Sequence, residues 1–191
     1  MEQERREEVI DSCLKLFVSK GLAETSTRDL SGSLKLQNAG LYYYFKSRSE
    51  AVIACVEEAM LRIESNMILA ALEDADAPDR MMRNLYRHAD EMAPTMRFIV
   101  QAYTSPTYHG ALQESLDKLK KRNESTVKKF AVKLGCRPEE VKPYMYSCMA
   151  AMTNYMVFGS RSYADFQIEI VRRWLNSIAE RNDPREELLY R

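Results

Sequence analysis

Between residues 27 and 46 the chain gathers side chains that suit hydrogen bonding to an edge or to a charged oxygen. Gln37 and Asn38 are amides, each with a donor and an acceptor in one plane. Such a group pairs bidentately with the major-groove edge of adenine. Ala39 and Gly40 follow and are small enough to let a backbone come close to a partner. Tyr42 and Tyr43 offer hydroxyls and Lys46 offers a cation, which suit phosphate oxygens. Thr27 and Arg28 stand at the start of a short helix, where unsatisfied backbone N–H groups favour an anion. Leu30, Leu34, Leu36, Leu41, Tyr44 and Phe45 read as the core beneath these groups. Ordinary packing of Tyr42 and Tyr43 is the lesser reading, because two exposed tyrosines on a short helix need a reason.

The elements that would hold this set are helical. Val9, Ile10, Cys13, Leu16 and Phe17 share one face of a first helix that stops at Lys20-Gly21. Residues 22 to 26 link it to a second helix that begins at Thr27 as N-cap and ends near Leu34. A tight turn at Lys35 and Leu36 leads to a third helix over Gln37–Tyr44. Two short helices joined by a tight turn form a helix-turn-helix, whose second helix enters the major groove. A long helix then runs from Ser47 or Ser49, with Ser49 as a possible cap, to Glu73.

The remaining chain is also helical by period. Pro78 opens a segment that runs to Ala93, and Pro94 divides it from Thr95–Thr104. Further helices are expected over about Ala111–Leu134, Pro138–Phe158 with a kink or a true start at Pro143, and Ala164–Arg181. The expectation is an all-α protein of about nine helices. It has an N-terminal three-helix DNA-binding domain over 1–47 and a helical ligand-binding and dimerisation domain over 48–191.

The stretch Thr25-Ser26-Thr27-Arg28-Asp29-Leu30, followed by Ala39-Gly40-Leu41-Tyr42-Tyr43-Tyr44-Phe45-Lys46, resembles the TetR family of transcriptional regulators. Phe17-Val18-Ser19-Lys20-Gly21-Leu22 before it and Ser47-Arg48-Ser49-Glu50 after it fit the same pattern. The resemblance covers roughly residues 9 to 56; beyond them only the number and order of helices look similar. It implies DNA contact through Thr27, Arg28, Gln37, Asn38, Ala39, Gly40, Tyr42, Tyr43 and Lys46. It also implies a homodimer built from the last two helices of each protomer, and a small-molecule effector bound in the helical body. The sequence departs from the family at Lys35, where glycine is usual, at Gly32 inside the second helix, and at Gln37-Asn38, where a small polar residue and a basic one are usual.

For the dimer, Ser147, Ala150, Ala151, Asn154 and Phe158 form a face of mostly small residues, and Val171, Trp174, Leu175 and Ile178 continue the interface on the last helix. For the effector pocket the candidates are Met67, Met96, Ile99, Tyr103, Leu116, Met149 and Met152, whose soft side chains suit an apolar or aromatic molecule. Core packing is the stronger reading for any one of them.

Composition narrows the class. Hydrophobic residues make up 46% and charged residues 29%, which fits a globular chain and not a disordered one. The formal net charge is zero. From Lys20 to Arg48, however, five basic residues face two acidic ones, and acids in the first eleven residues cancel that excess. The cysteines Cys13, Cys55, Cys136 and Cys148 form no C-x-x-C pair, so neither a zinc site nor a disulfide framework is expected. No metal or cofactor is implied. No signal peptide or membrane span is read, which makes the cytoplasm the default compartment. The chain lacks a glycine-rich phosphate loop, a Ser/His/Asp arrangement and metal-ligand spacing, so no catalytic residue is expected. The expected function is a ligand-responsive DNA-binding regulator, a repressor released by its effector. The alternative is a helical interaction protein of the same fold that has lost ligand response or specific DNA binding, favoured by Lys35, Gly32 and the neutral charge.

Overall fold

The computed structural model describes residues 2–34, 38–74 and 77–181. Eight helices lie among them: α1 (Glu2–Lys20), α2 (Thr27–Ser33), α3 (Asn38–Tyr44), α4 (Arg48–Glu73), α5 (Pro78–Thr104), α6 (Gln113–Leu134), α7 (Pro138–Phe158) and α8 (Arg161–Arg181). The fold is all-α. None of these helices is long and apolar enough to cross a membrane.

Eight helices stand where about nine were expected, because Pro94 does not divide α5. Proline removes one N–H and crowds the preceding turn, which usually bends or ends a helix. Here Leu85 and Ala89 before it, and Phe98, Ile99 and Ala102 after it, are buried. Burial on each side keeps the helix going, while Pro94 itself is exposed. A carbonyl left without a partner on a solvated face can be satisfied by water. Pro143 lies inside α7 in the same way, also exposed.

The caps also differ from expectation. The N-cap of α2 is Ser26 and not Thr27: the Ser26 hydroxyl accepts from the Asp29 N–H at 3.1 Å, and Asp29 accepts from the Ser26 N–H at 2.8 Å. This reciprocal pair needs an acidic or amide residue three positions on, which Ser26 has and Thr27 lacks. At α4 the Glu50 N–H donates to Ser47 Oγ at 3.1 Å, so Ser47 takes the place expected of Ser49. Gly159 ends α7 in the left-handed region at φ 72°, with its N–H bonded to the Tyr155 carbonyl at 2.8 Å. Glycine adopts that conformation without strain.

The chain forms two compact units. The first holds the residues up to Ile63 together with Pro94–Lys118, and the second holds Glu64–Ala93 and the chain from Leu119 on. In the first unit Phe17 stacks on Phe98 with ring centroids 5.4 Å apart. Arg62 on α4 joins Asp11 of α1 at 2.8 Å and Glu58 at 2.7 Å. Cys13 and Cys55 are fully buried there, and Cys55 Sγ donates to the Ile10 carbonyl at 3.7 Å. In the second unit α7 packs along α8. Tyr144 stacks on Trp174 at 4.3 Å, and Tyr86 meets Tyr155 edge to face at 5.0 Å. Asp74, buried, accepts hydrogen bonds from Arg80 and Asn84. Cys136 and Cys148 belong to this unit, and burial pushes both thiols up, Cys148 to about 12.

Candidate nucleic-acid interface

The site is built on α2 and α3, which pack on each other, with α2 also against α1. Leu30, Leu41 and Phe45 are buried and anchor the pair, as expected of core residues. Leu34, the C-cap of α2, and Tyr44 are half-buried. Between Leu41 and Phe45, Tyr42 is 53% exposed and Tyr43 70% exposed. One short helix therefore turns one side into the core and holds two phenols in water. Tyr43 is steadied by an edge-to-face contact with Tyr44 at 5.0 Å. Lys46, just beyond α3, is exposed, and its backbone N–H donates to Glu50 Oε2 at 2.7 Å.

Gln37, Lys35 and Leu36 lie outside the described residues, as do the side chains of Asn38, Ala39 and Gly40. Gly32 sits in α2 with open space around the position a Cβ would take.

The first turn of α2 differs from the anion cradle that the sequence suggested. Asp29 supplies a carboxylate of its own there, which Lys20 pairs at 2.8 Å and Ser26 Oγ meets at 2.6 Å. The Lys20 ammonium and the Ser26 hydroxyl and amide hold that carboxyl far below the usual carboxylate range. The helix dipole is thus already complemented at this end. Thr27 is half-buried and Arg28 is exposed. Of the basic window, Lys20 is paired with Asp29 and Arg48 is directed inward, while Arg28 and Lys46 are exposed.

The pocket candidates do not come together in one unit. Met96, Ile99, Tyr103 and Leu116 fall in the first unit and Met67, Met149 and Met152 in the second. Ile99 and Met152 are buried, Met67, Met96, Tyr103 and Met149 half-buried, and Leu116 is 40% exposed. The Tyr103 hydroxyl donates to the Leu112 carbonyl at 3.1 Å. A cleft of about 410 Å³ in the second unit is lined by Gly135, Cys136, Arg137, Glu140, Ile178 and Arg181, and holds none of these candidates. Arg137 and Arg181 both bind Glu140 there, each at 3.2 Å, which leaves a polar and largely satisfied surface.

The residues expected at a dimer interface divide sharply. Ala151, Val171, Leu175 and Ile178 are buried within the protomer. Trp174 is half-buried, stacked on Tyr144 of the same chain. Ala151, Val171, Leu175 and Ile178 thus pack within their own chain, while Trp174 keeps part of its surface exposed. Ser147 and Ala150 are exposed, Asn154 half-buried and Phe158 76% exposed, and they recur at spacings that keep one face of α7. On α8 the reading missed Tyr163, Phe166 and Ile170, at 59%, 78% and 54% exposure. Their spacing of three and four residues was the available signal, and it marks a second apolar stripe beside the buried one.

Residues 9–55 match the model of the bacterial regulatory proteins of the tetR family. The chain has the fold of the tetR-family regulators. A tetR-family transcriptional regulator from Mesorhizobium loti MAFF303099, named as putative, is 13% identical, with a TM-score of 0.63, over 92% of this chain and 95% of that one. A tetR-family regulator from Streptomyces coelicolor is 14% identical, with a TM-score of 0.62, over 98% and 95%. The multidrug binding protein EbrR, in complex with ethidium, is 15% identical, with a TM-score of 0.62, over 89% and 98%. These likenesses are of fold. No curated protein matches the sequence.

Proposed function

We propose that the protein is a ligand-responsive, homodimeric DNA-binding regulator, a repressor released by a small apolar or aromatic molecule. The observation that carries the DNA reading is the exposure of Tyr42 and Tyr43 on α3, between the buried Leu41 and Phe45, with Arg28 and Lys46 exposed nearby. Exposed phenols beside free cations suit phosphate oxygens, and Gln37, Asn38, Ala39 and Gly40 supply the side chains for base edges. Thr27 adds a hydroxyl. The tetR-family match over residues 9–55 supports this reading.

The dimer reading rests on the exposed face of the last two helices, Ser147, Ala150, Asn154 and Phe158 on α7 with Tyr163, Phe166 and Ile170 on α8. Contiguous exposed aromatic surface of this kind marks an interface. Two protomers engaging two half-sites together bind far more tightly than either alone. The effector reading draws on the methionine-rich helices and on the fold shared with EbrR, a protein that binds ethidium.

The experiment is selection of duplexes from a random-sequence pool, followed by titration of the selected duplex at several salt concentrations. The expected result is a symmetric selected site and an affinity that falls steeply with salt. Absence of any retained duplex at low salt overturns the proposal.

A further inference from the structure

Arg48 opens α4, and its guanidinium is directed into the first unit. Nε donates to the Thr25 carbonyl at 3.3 Å. One terminal nitrogen donates to the Leu22 carbonyl at 2.5 Å and to that of Thr25 at 3.2 Å. The other donates to the Tyr108 hydroxyl. The Phe17 ring lies against the group, 5.9 Å from its centre. Thr25 and Tyr108 are 1% and 5% exposed, so water competes poorly for these bonds. Only arginine carries enough donors, in a rigid fork, to reach all three partners at once.

The partners belong to two remote segments. Leu22 and Thr25 lie in the linker between α1 and α2, next to the Ser26 cap. That linker is further held by the Thr25 hydroxyl on the Gly21 carbonyl at 2.7 Å and by the Leu22 N–H on Gln101 Oε1 at 3.4 Å. Tyr108 lies in the loop between α5 and α6, which is closed by bonds from Tyr108 N–H to the Ser105 carbonyl and from Leu112 N–H to the Tyr108 carbonyl, both 3.1 Å. One side chain therefore pins the linker that leads into α2 to a loop sixty residues on from itself.

We infer that Arg48 and Tyr108 are positioning residues for DNA binding: they fix the linker from which α2 departs, and through α2 the placement of α3, without touching DNA. This rests on the DNA reading proposed above. If the linker is released, Tyr42, Tyr43, Arg28 and Lys46 no longer meet the duplex in register, and phosphate contacts are lost along with affinity.

The test uses the full chain and a duplex selected by the wild-type protein. Tyr108→Phe keeps the buried ring and removes the hydroxyl; Arg48→Lys keeps the charge and removes the fork. Each is expected to lower affinity about tenfold, the scale of one lost hydrogen bond to a charged group. Each also lowers the salt slope by roughly 1, because a phosphate contact goes with it. A role confined to stability would lower the melting temperature and leave the slope of the folded fraction intact. Hydrogen exchange of residues 22–34 gives a second measurement, expected to quicken in both variants. Lys46→Ala serves as the reference. If wild type binds and Lys46→Ala weakens binding, but Tyr108→Phe and Arg48→Lys match wild type in affinity, slope and exchange, the inference is overturned and the DNA reading stands. If wild type retains no duplex, both fall.

Discussion

Phe166→Ala is the sharpest probe of assembly, because the protomer's own core does not use this ring. At 78% exposure most of its surface is in water in the single chain. A phenylalanine ring at the centre of an interface buries about 150 Å² or more, worth roughly 3–4 kcal/mol of transfer free energy by area. Ordering and desolvation offset part of that, and truncation of such a ring typically costs about 2 kcal/mol. A two-fold interface presents the same residue on both sides, so one substitution acts twice and costs about 4 kcal/mol per dimer. That corresponds to a dimer dissociation constant raised about a thousandfold. Sedimentation equilibrium from nanomolar to tens of micromolar would resolve such a shift. Hydrogen exchange in α7 and α8 of the diluted monomer should stay as in wild type, since nothing inside the protomer is removed. Equal dissociation constants for wild type and Phe166→Ala would refute the interface, as would a wild-type chain that is monomeric throughout that range.

Lys46→Ala is expected to weaken binding to every duplex and to lower the salt slope by about 1, measured by titration at several ionic strengths. Tyr43→Ala is expected to weaken binding with little change in melting temperature, because the ring is 70% exposed. Four carboxyls are held below their ordinary values: Glu169 at about 2 by Arg172 and Arg173, Asp29 by Lys20 and Ser26, Asp74 by Arg80 and Asn84, and Glu140 by the Arg137 backbone N–H and then the Arg137 and Arg181 side chains. A depressed carboxyl stabilises the fold above its unfolded value of about 4, and the contribution is lost as pH falls toward the folded value. Calorimetry should therefore show a melting temperature that holds from pH 7 to 5 and drops between about pH 4 and 2, with Glu169→Gln making the drop shallower. Pro94→Ala restores an N–H at an exposed site inside α5 and is expected to raise stability by roughly 1–3 kcal/mol; a lower denaturation midpoint would contradict this.

Local order was written plainly in the residues. Gly21 and Gly159 end α1 and α7 where their positive φ values allow, and the buried faces of α1 and α4 recur at helical spacing. The separation of Leu41 and Phe45 from Tyr42 and Tyr43 followed from period alone. Pro94 was misread because a local rule was set against a nonlocal force: the segments before and after it are each held by burial, and that tertiary packing decides. The two apolar stripes of α8 posed a different difficulty. Ile168, Val171 and Leu175 are buried while Phe166 and Ile170 are exposed, and residue type does not say which stripe meets its own chain. Small residues on α7 signalled a close approach without naming the neighbour. The Arg48 fork was hidden altogether, since its partners lie 23 to 60 positions away and two of them are backbone carbonyls.

Three of the thiols give the molecule its own clocks. Cys13 and Cys55 are sealed in the first unit, and Cys148 is held as the protonated thiol in the second. An alkylating reagent reacts with thiolate, so Cys13 and Cys55 are modified only while their surroundings are open, and Cys148 reacts slowly because its thiol is held up by burial. With reagent in excess and reclosing fast, the labelling rate is the open fraction multiplied by the intrinsic rate, which turns seconds of chemistry into a local opening free energy. Mass analysis of the labelled peptides would then time the breathing of each unit separately in the unmodified protein. Adding duplex should slow Cys13 and Cys55, and an effector that slows Cys148 while quickening that pair would reveal its action as a change in tempo.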